Sequence, residues 1–568
     1  MAQSPASSQA RQLGKSELGW YKALSVGSGI AVLGLHLSKP LQTPLLQKAL
    51  HTLQTSHPLL RSKIHHDPSK NTFHFLTPPA PTLQIHSFDL PSTAQILQAH
   101  QDNNDPFHAL LHHQMNSGTW RNSSANADVD VLHAATYAIA PDRFALILRV
   151  LSPACDRDAA NAVLRELVQF VGGGGVVAAE EKVCAALEDL IPKAKRKKAI
   201  WTRGMDMIAF SLNSMRLSHL SFHDVQSPRT SRIERLKMDQ NQTNKLLAGC
   251  KSRGIKLCSA LAAAGMIASW ASKSLPDSQK EKYGVVTLTD CRPLLDPRLA
   301  TSPHPSLPLL AASPNPSLAR LASSPHPSPQ RLAAYPHPTP PPPQPATSPR
   351  DPLSHPFASG FQQPLSRLGF MAMWRILPVN LAFVVCFWGK IGRLTEAFKV
   401  VFLSAESALI SLDSFHSELG FYLSAILNTH DVGRETLWEL ANKNYTGFVN
   451  AMKSNKHFTD MSDLNYLMSK AIENPSVTPS SSHRIALISV FEDPFFDDST
   501  EMHEKIGLED YVVCASSHGI GPSIAIFDTI RNGKLDCVCV YPTPLHSREQ
   551  MQGLVDHMKR ILVEGSTK

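Results

Sequence analysis

The 568-residue sequence predicts an α/β (α+β) protein of two lobes plus one irregular segment. Three observations lead there. The chain is too long for a single core at about 100–200 residues per domain. Apolar strand-like runs alternate with amphipathic helical stretches in both its N-terminal and C-terminal parts. Its 43 prolines exceed the usual share of about 5% and crowd between Pro297 and Phe415.

The elements follow in order. Gly29–Leu37 (GIAVLGLHL) is apolar along its length, as a buried strand is. A helix follows, with Thr43 as N-cap, Pro44 at the first position and Leu46, Leu50 and Leu53 on one face; it ends before His57-Pro58-Leu59-Leu60-Arg61. Residues 145–153 (ALILRVLSP) are apolar on both faces apart from Arg149, the pattern of a covered central strand. Ala160, Val163, Leu164, Leu167 and Val168 then trace a helical face ended by Gly172–Gly175. Ser259–Trp270 is a small-residue helix, and 284–290, 511–516 and 535–541 are strands. The closing helix has capping-box spacing at Ser547 and Gln550 and an apolar stripe from Met551 to Leu562. Segments such as PHPTPPPPQP have too few bulky apolar residues to offset chain entropy, so this part is expected to be disordered.

Composition excludes several classes. Lys+Arg number 55 against 47 Asp+Glu, too dilute a surplus for a nucleic-acid surface. Nine scattered cysteines without a C-x-x-C pair indicate neither a disulfide framework nor zinc, and Cys537 and Cys539 fall on one strand face as small hydrophobes. Met1–Lys15 lacks an apolar signal core, so the sequons at Asn122, Asn241 and Asn444 are not expected to be glycosylated and a cytoplasmic protein follows. The apolar run LAFVVCFWG falls short of the ~20 residues a bilayer needs, so no membrane span is expected. The basic run Lys193–Lys198 reads as a solvated connection or as a nuclear-localisation patch, and PTPPPPQP as a linker or a polyproline ligand.

His57-Pro58-Leu59-Leu60-Arg61, the segment Asp290-Cys291-Arg292 through Pro297, and Ser516-Ser517-His518-Gly519-Ile520-Gly521-Pro522 occur here in a particular order. With them the chain resembles the condensation-domain and alcohol-acetyltransferase superfamily, related to chloramphenicol acetyltransferase and the BAHD acyltransferases, especially its plant-type members. The resemblance implies a two-lobed chloramphenicol acetyltransferase-like fold of mixed sheets flanked by helices. It divides the chain into a flexible N-terminus (1–28), a first lobe (29–192), a connection (193–240), a second lobe (241–299 and 415–568) and a Pro/Ser-rich insertion with an apolar tail (300–414). That insertion is either an unspliced segment or a disordered surface loop, since Asp290–Pro297 should lead by a short loop to 415–422 and the strand at 424–432.

Members of this superfamily carry His-His-x-x-x-Asp-Gly or His-x-x-x-Asp where the strand turns into the helix, and the histidine deprotonates an alcohol or amine attacking an acyl thioester. The matching segment is Leu151-Ser152-Pro153-Ala154-Cys155-Asp156-Arg157, so the motif is degenerate: Ser152 holds the histidine's place and Arg157 the glycine's. The resemblance implies that Asp156 pairs with Arg292, while a bare reading has Asp156 capping the helix. It also brings His133, His430 and His518 near an inter-lobe tunnel, with His518 the first candidate for a substitute base and Cys155 a packed thiol or a nucleophile. The implied function is acyl transfer from an acyl-CoA-type thioester, a co-substrate rather than a bound cofactor, to a small alcohol or amine, without metal. The alternative is a catalytically inactive descendant serving as a ligand-binding or interaction module. Ser152, and a bulky cation at the tunnel mouth in Arg157, speak for it.

Overall fold

The computed structural model describes residues 9–99, 105–118, 128–174, 183–199, 201–205, 216–295, 419–497 and 499–567. The Pro-rich insertion 300–414 and its apolar run LAFVVCFWG lie outside these residues.

The first lobe is built on a five-stranded sheet in the order Leu508–Ser517, Ser28–Leu37, Arg143–Leu151, Leu132–Ala140, Ile85–Phe88. Ser28–Leu37 is buried over nearly its whole length because it pairs antiparallel on both edges and has helices on both faces. On one face Phe107 and Leu111 of the helix Pro106–Asn116 close over Gly34, where a Cβ would come within 2.5 Å of Leu111. The helices Thr43–Ser56 and Arg157–Val171 pack together, and His57 Nε2 meets Glu166 Oε2 at 2.7 Å in the buried joint between them. That contact is what the His-Pro segment contributes: it ties the end of one helix to the side of the next.

The second lobe has a seven-stranded sheet in the order Leu423–Val432, Glu281–Asp290, Arg484–Phe491, Gly521–Arg531, Lys534–Thr543, Thr230–Lys237, with Phe495–Asp497 beside Gly521–Arg531. The alanine-rich helix Leu257–Ala271 is buried against it, so close that a Cβ on Gly265 would sit 2.6 Å from Ile488. The amphipathic helix Arg548–Thr567 covers the same core through Met551, Leu554, Val555, Met558 and Leu562, and Ser547 Oγ accepts from Gln550 N at 3.2 Å. Cys537 and Cys539 are buried in this core. Among the described residues eight cysteines are free, and no single helix is long and apolar enough to cross a membrane.

Three assignments made from sequence need correction. Residues 9–23, read as a flexible terminus, form the strand Gln9–Gln12 and the helix Lys15–Ala23. Glu17 holds them, accepting from Gly14 N at 2.6 Å and pairing with Arg11 at 2.7 Å, while Arg11 lies over the Phe75 ring. The segment read as a connection supplies the strand Thr230–Lys237, and Lys198 of its basic run is buried between Asp460 (2.7 Å) and Asp463 (2.9 Å). The strand Leu508–Ser517, placed in the second lobe, completes the first-lobe sheet. Alternation identifies a strand but not its partner. At the edge of the second sheet Asp290 stands opposite Leu423 in antiparallel register, so the two flanks of the insertion are neighbouring strands. Phe491, Ala525, Phe527, Val538 and Val540 of the second lobe belong to the same buried cluster as the first-lobe core.

Candidate active site at the strand-to-helix turn

The strand Arg143–Leu151 ends where Leu151 N donates to Val131 O at 3.0 Å. Pro153 cannot donate and favours a tight turn, so Ser152–Ala154 make one 3₁₀ turn before the helix Arg157–Val171. Asp156 is the N-cap, and its two carboxylate oxygens divide the two roles foreseen for it. Oδ1 accepts from Ala159 N at 2.9 Å; Oδ2 accepts from Tyr422 N at 2.8 Å and meets Arg292 Nη2 at 3.0 Å. Capping and ion pairing therefore coexist.

Arg292 is fully buried. It also pairs with Asp290 at 2.9 Å, donates to Gly420 O at 3.3 Å and lies 4.6 Å over the Tyr422 ring. Burial disfavours the guanidinium charge, but Asp156 and Asp290 outweigh it and hold the arginine above its ordinary range. For Asp290 burial wins over Arg292, and the carboxyl is held above the usual range. Asp156 N donates to Gly420 O at 3.1 Å, so one carbonyl is shared by both ends of the clasp.

Ser152, the residue that the resemblance sets at the histidine's place, is buried. His518 stands at the same end of the five-stranded sheet, because Leu151 faces Ile30 and Ser517 faces Ser28 on the intervening strand. His518 is buried, with Nδ1 2.9 Å from Ser231 Oγ. That oxygen already accepts from Ser517 N (2.9 Å) and His518 N (3.2 Å), which leaves its own hydrogen to be donated toward Nδ1. The lone pair a base would use is thus engaged by Ser231.

The other candidates are placed apart. His133 stacks on His86 at 4.5 Å between ring centroids, and burial, then Arg149 and His86, pull its pKa down to about 4. His430, on an edge strand, hydrogen-bonds Asn444 at 3.0 Å. Cys155 is buried, and that burial pushes its thiol well up, opposite to the direction a nucleophile needs. Arg157 does not end at an open mouth. Its guanidinium crosses to the second lobe, bonding Asp528 at 3.1 Å and Asp493 O at 2.7 Å and lying 4.0 Å over the Phe491 ring.

Sequence reasoning missed Asp528, Ser231 and Arg484. Arg484 donates to Ser517 O (3.0 Å), Pro522 O (2.5 Å), Gly519 O and Ser482 O (3.1 Å), holding the His518 turn by its carbonyls. An arginine opening an apolar strand, IALISVF, was the one available signal.

No protein-family model matches the sequence, and no curated protein does. Solved structures do resemble it. Polyketide synthase associated protein 5 from Mycobacterium tuberculosis aligns at TM-score 0.55 and 12% identity, covering 98% of each chain. The EpoB cyclization-docking bidomain of a non-ribosomal peptide synthetase from Sorangium cellulosum aligns at 0.57 and 10%, covering 100% of this chain and 87% of its own. The first condensation domain of the calcium-dependent antibiotic synthetase aligns at 0.54 and 11%, covering 99% and 97%. Identities this low speak for architecture alone, and the architecture is clear: this chain has the two-lobed α/β fold of the condensation domains.

Proposed function

We propose that the chain is an acyltransferase-like protein that moves an acyl group from an acyl-CoA-type thioester to a small alcohol or amine at the turn Ser152–Asp156. The observation that carries this reading is the Asp156–Arg292 clasp at a strand-to-helix turn of a condensation-type fold. In such a transfer the acceptor oxygen or nitrogen bonds to the thioester carbonyl, the C–S bond breaks, and the acceptor's proton ends on the thiolate as free CoA. A positioned base contributes about 10²–10⁴ in rate, and Ser152 cannot serve as one at neutral pH. Transfer is therefore slow, with water taking the proton, or His518 where Ser231 releases its Nδ1. The eight cysteines among the described residues, all free, accord with a reducing compartment such as the cytoplasm.

A second reading, a descendant that binds without transferring, is favoured by the bond from Ser231 to His518 and by the Arg157 bridge between the lobes. Thiol release from acetyl-CoA and longer acyl-CoAs with mixed alcohols and amines separates the two. Acceptor-dependent release by the wild type, lost in His518→Ala, supports transfer with a relocated base. Release only from Ser152→His supports the non-catalytic reading, and release from neither protein defeats the acyl-CoA proposal.

A further inference from the structure

A second site lies further along the helix Arg157–Val171, away from the turn. A cleft of about 390 Å³ runs between this helix and the segment from Phe495 to Tyr511. None of Ser152, Asp156, Arg157, Arg292 or His518 lines it. From Asn161 to Gln169 the helix wall extends about 12 Å at 1.5 Å per residue, within the range of small-ligand sites. Leu164, Val168 and Met502 make the wall apolar.

Its buried polar groups have one character. Asn161 is 3% exposed, its Nδ2 donates to Arg157 O at 3.0 Å, and its Oδ1 accepts no hydrogen bond. The Asp497 side chain is 5% exposed; it accepts from Ser499 N at 3.1 Å and has His503 Nε2 at 3.7 Å. Burial, beyond the opposing pull of Asp497, lowers the pKa of His503, with Arg531 adding to the lowering. The Tyr511 hydroxyl is buried and hydrogen-bonds the same carboxylate. Arg531, opposite Asp497 in the strand pairing, is turned to Asp510 at 3.0 Å and lies 4.8 Å over the Tyr511 ring, and the cations that line the cleft are engaged elsewhere. Arg165 lies 5.1 Å over the Phe495 ring and donates to Phe496 O, while Lys505 is exposed at the rim with Glu501. The apolar trough thus carries in its lining a buried carboxylate and an unfilled amide oxygen, groups that accept from N–H donors.

We infer that this cleft binds a primary-ammonium compound with an apolar body, its ammonium between Asp497 and Asn161 and its chain along Leu164, Val168 and Met502. The inference stands apart from the reaction proposed for the turn. Isothermal titration of the full chain with hexylamine, hexan-1-ol and hexanoate at neutral pH tests it. Hexylamine should bind saturably, with hexan-1-ol at least about tenfold weaker and hexanoate weaker still. Asp497→Asn and Asn161→Ala should each weaken hexylamine, the former about tenfold. Equal binding of the amine and the alcohol, tighter binding of hexanoate, or an Asp497→Asn protein that binds like wild type overturns the inference. Should a variant fail to fold, the three-ligand series on wild type decides alone.

Discussion

Two turns stand at one edge of the five-stranded sheet, and a buried second-lobe arginine holds each. At Ser152–Asp156, Arg292 meets the carboxylates Asp156 and Asp290. At Ser517–Pro522, Arg484 hands its protons to backbone carbonyls. The same side chain behaves oppositely in the two places: the carboxylates raise the Arg292 pKa despite burial, whereas burial, with Arg229 adding, brings Arg484 down to about 9. The first turn is held by compensated charge. The second is electropositive, and the histidines near it stay neutral. Burial first, and then Arg484, depress His219 and His546 to about 4; burial, Arg229 and Arg484 do the same to His483.

The largest effect should come from breaking the compensated turn. Arg292→Met strands Asp156 and Asp290 and should cost about 3–5 kcal/mol in urea unfolding. Asp156→Asn keeps an acceptor for Ala159 N and should cost less than Asp156→Ala. A double-mutant cycle over Asp156 and Arg292 should give a coupling of about 1 kcal/mol or more, and additivity would remove the ionic account of this turn.

The second turn should show itself in acid. A histidine whose folded pKa is about 4 against about 6.5 unfolded leaves the unfolded chain binding more protons, so stability falls as pH drops from 6.5 to 4. For the fully buried His546 the loss is about 3 kcal/mol below that window. Asp290 and Asp528 run the other way, because their raised pKa values make the folded state take up protons first. Arg484→Met isolates the contribution of the second turn. Removing the cation raises its neighbours' pKa values, so thermal melts from pH 7.5 to 4.5 should decline less steeply than in wild type. Parallel slopes would break the contrast between the two turns.

What was legible in the sequence divides along the same line. The pairing of Asp156 with Arg292 was implied by the family resemblance; the local mark, a carboxylate opening a helix, indicated by itself only the cap. The strands Ser28–Leu37 and Arg143–Leu151 and the helix Arg548–Thr567 announced themselves by periodicity. The rest is held by contacts without local pattern. Arg157 finds Asp528 across 371 positions, and His518 finds Ser231 across 287, in a stretch that read as a connection. The terminus 9–23 has modest amphipathicity and is ordered by the Arg11–Glu17 pair and by Gly19, where a Cβ would come within 2.7 Å of Met468 Cε. Such fits depend on the assembled surface.

The smallest effect is expected where the second turn relies on neutral hydrogen bonds. Ser231→Ala removes the oxygen that accepts from Ser517 N and His518 N and donates to His518 Nδ1. Two amides are left to other partners, at a cost of about 1–2 kcal/mol in urea, well under that of Arg292→Met. The more discriminating readout is the imidazole itself. With Ser231 present, nitrogen-15 shifts of His518 should report a proton on Nε2; in Ser231→Ala the preference should relax and the Nδ1–H form should appear. If the wild-type ring already carries its proton on Nδ1, Ser231 does not engage that lone pair. Nε2 would then be the basic nitrogen, and His518 would regain the character of a base that the transferase reading asks of it.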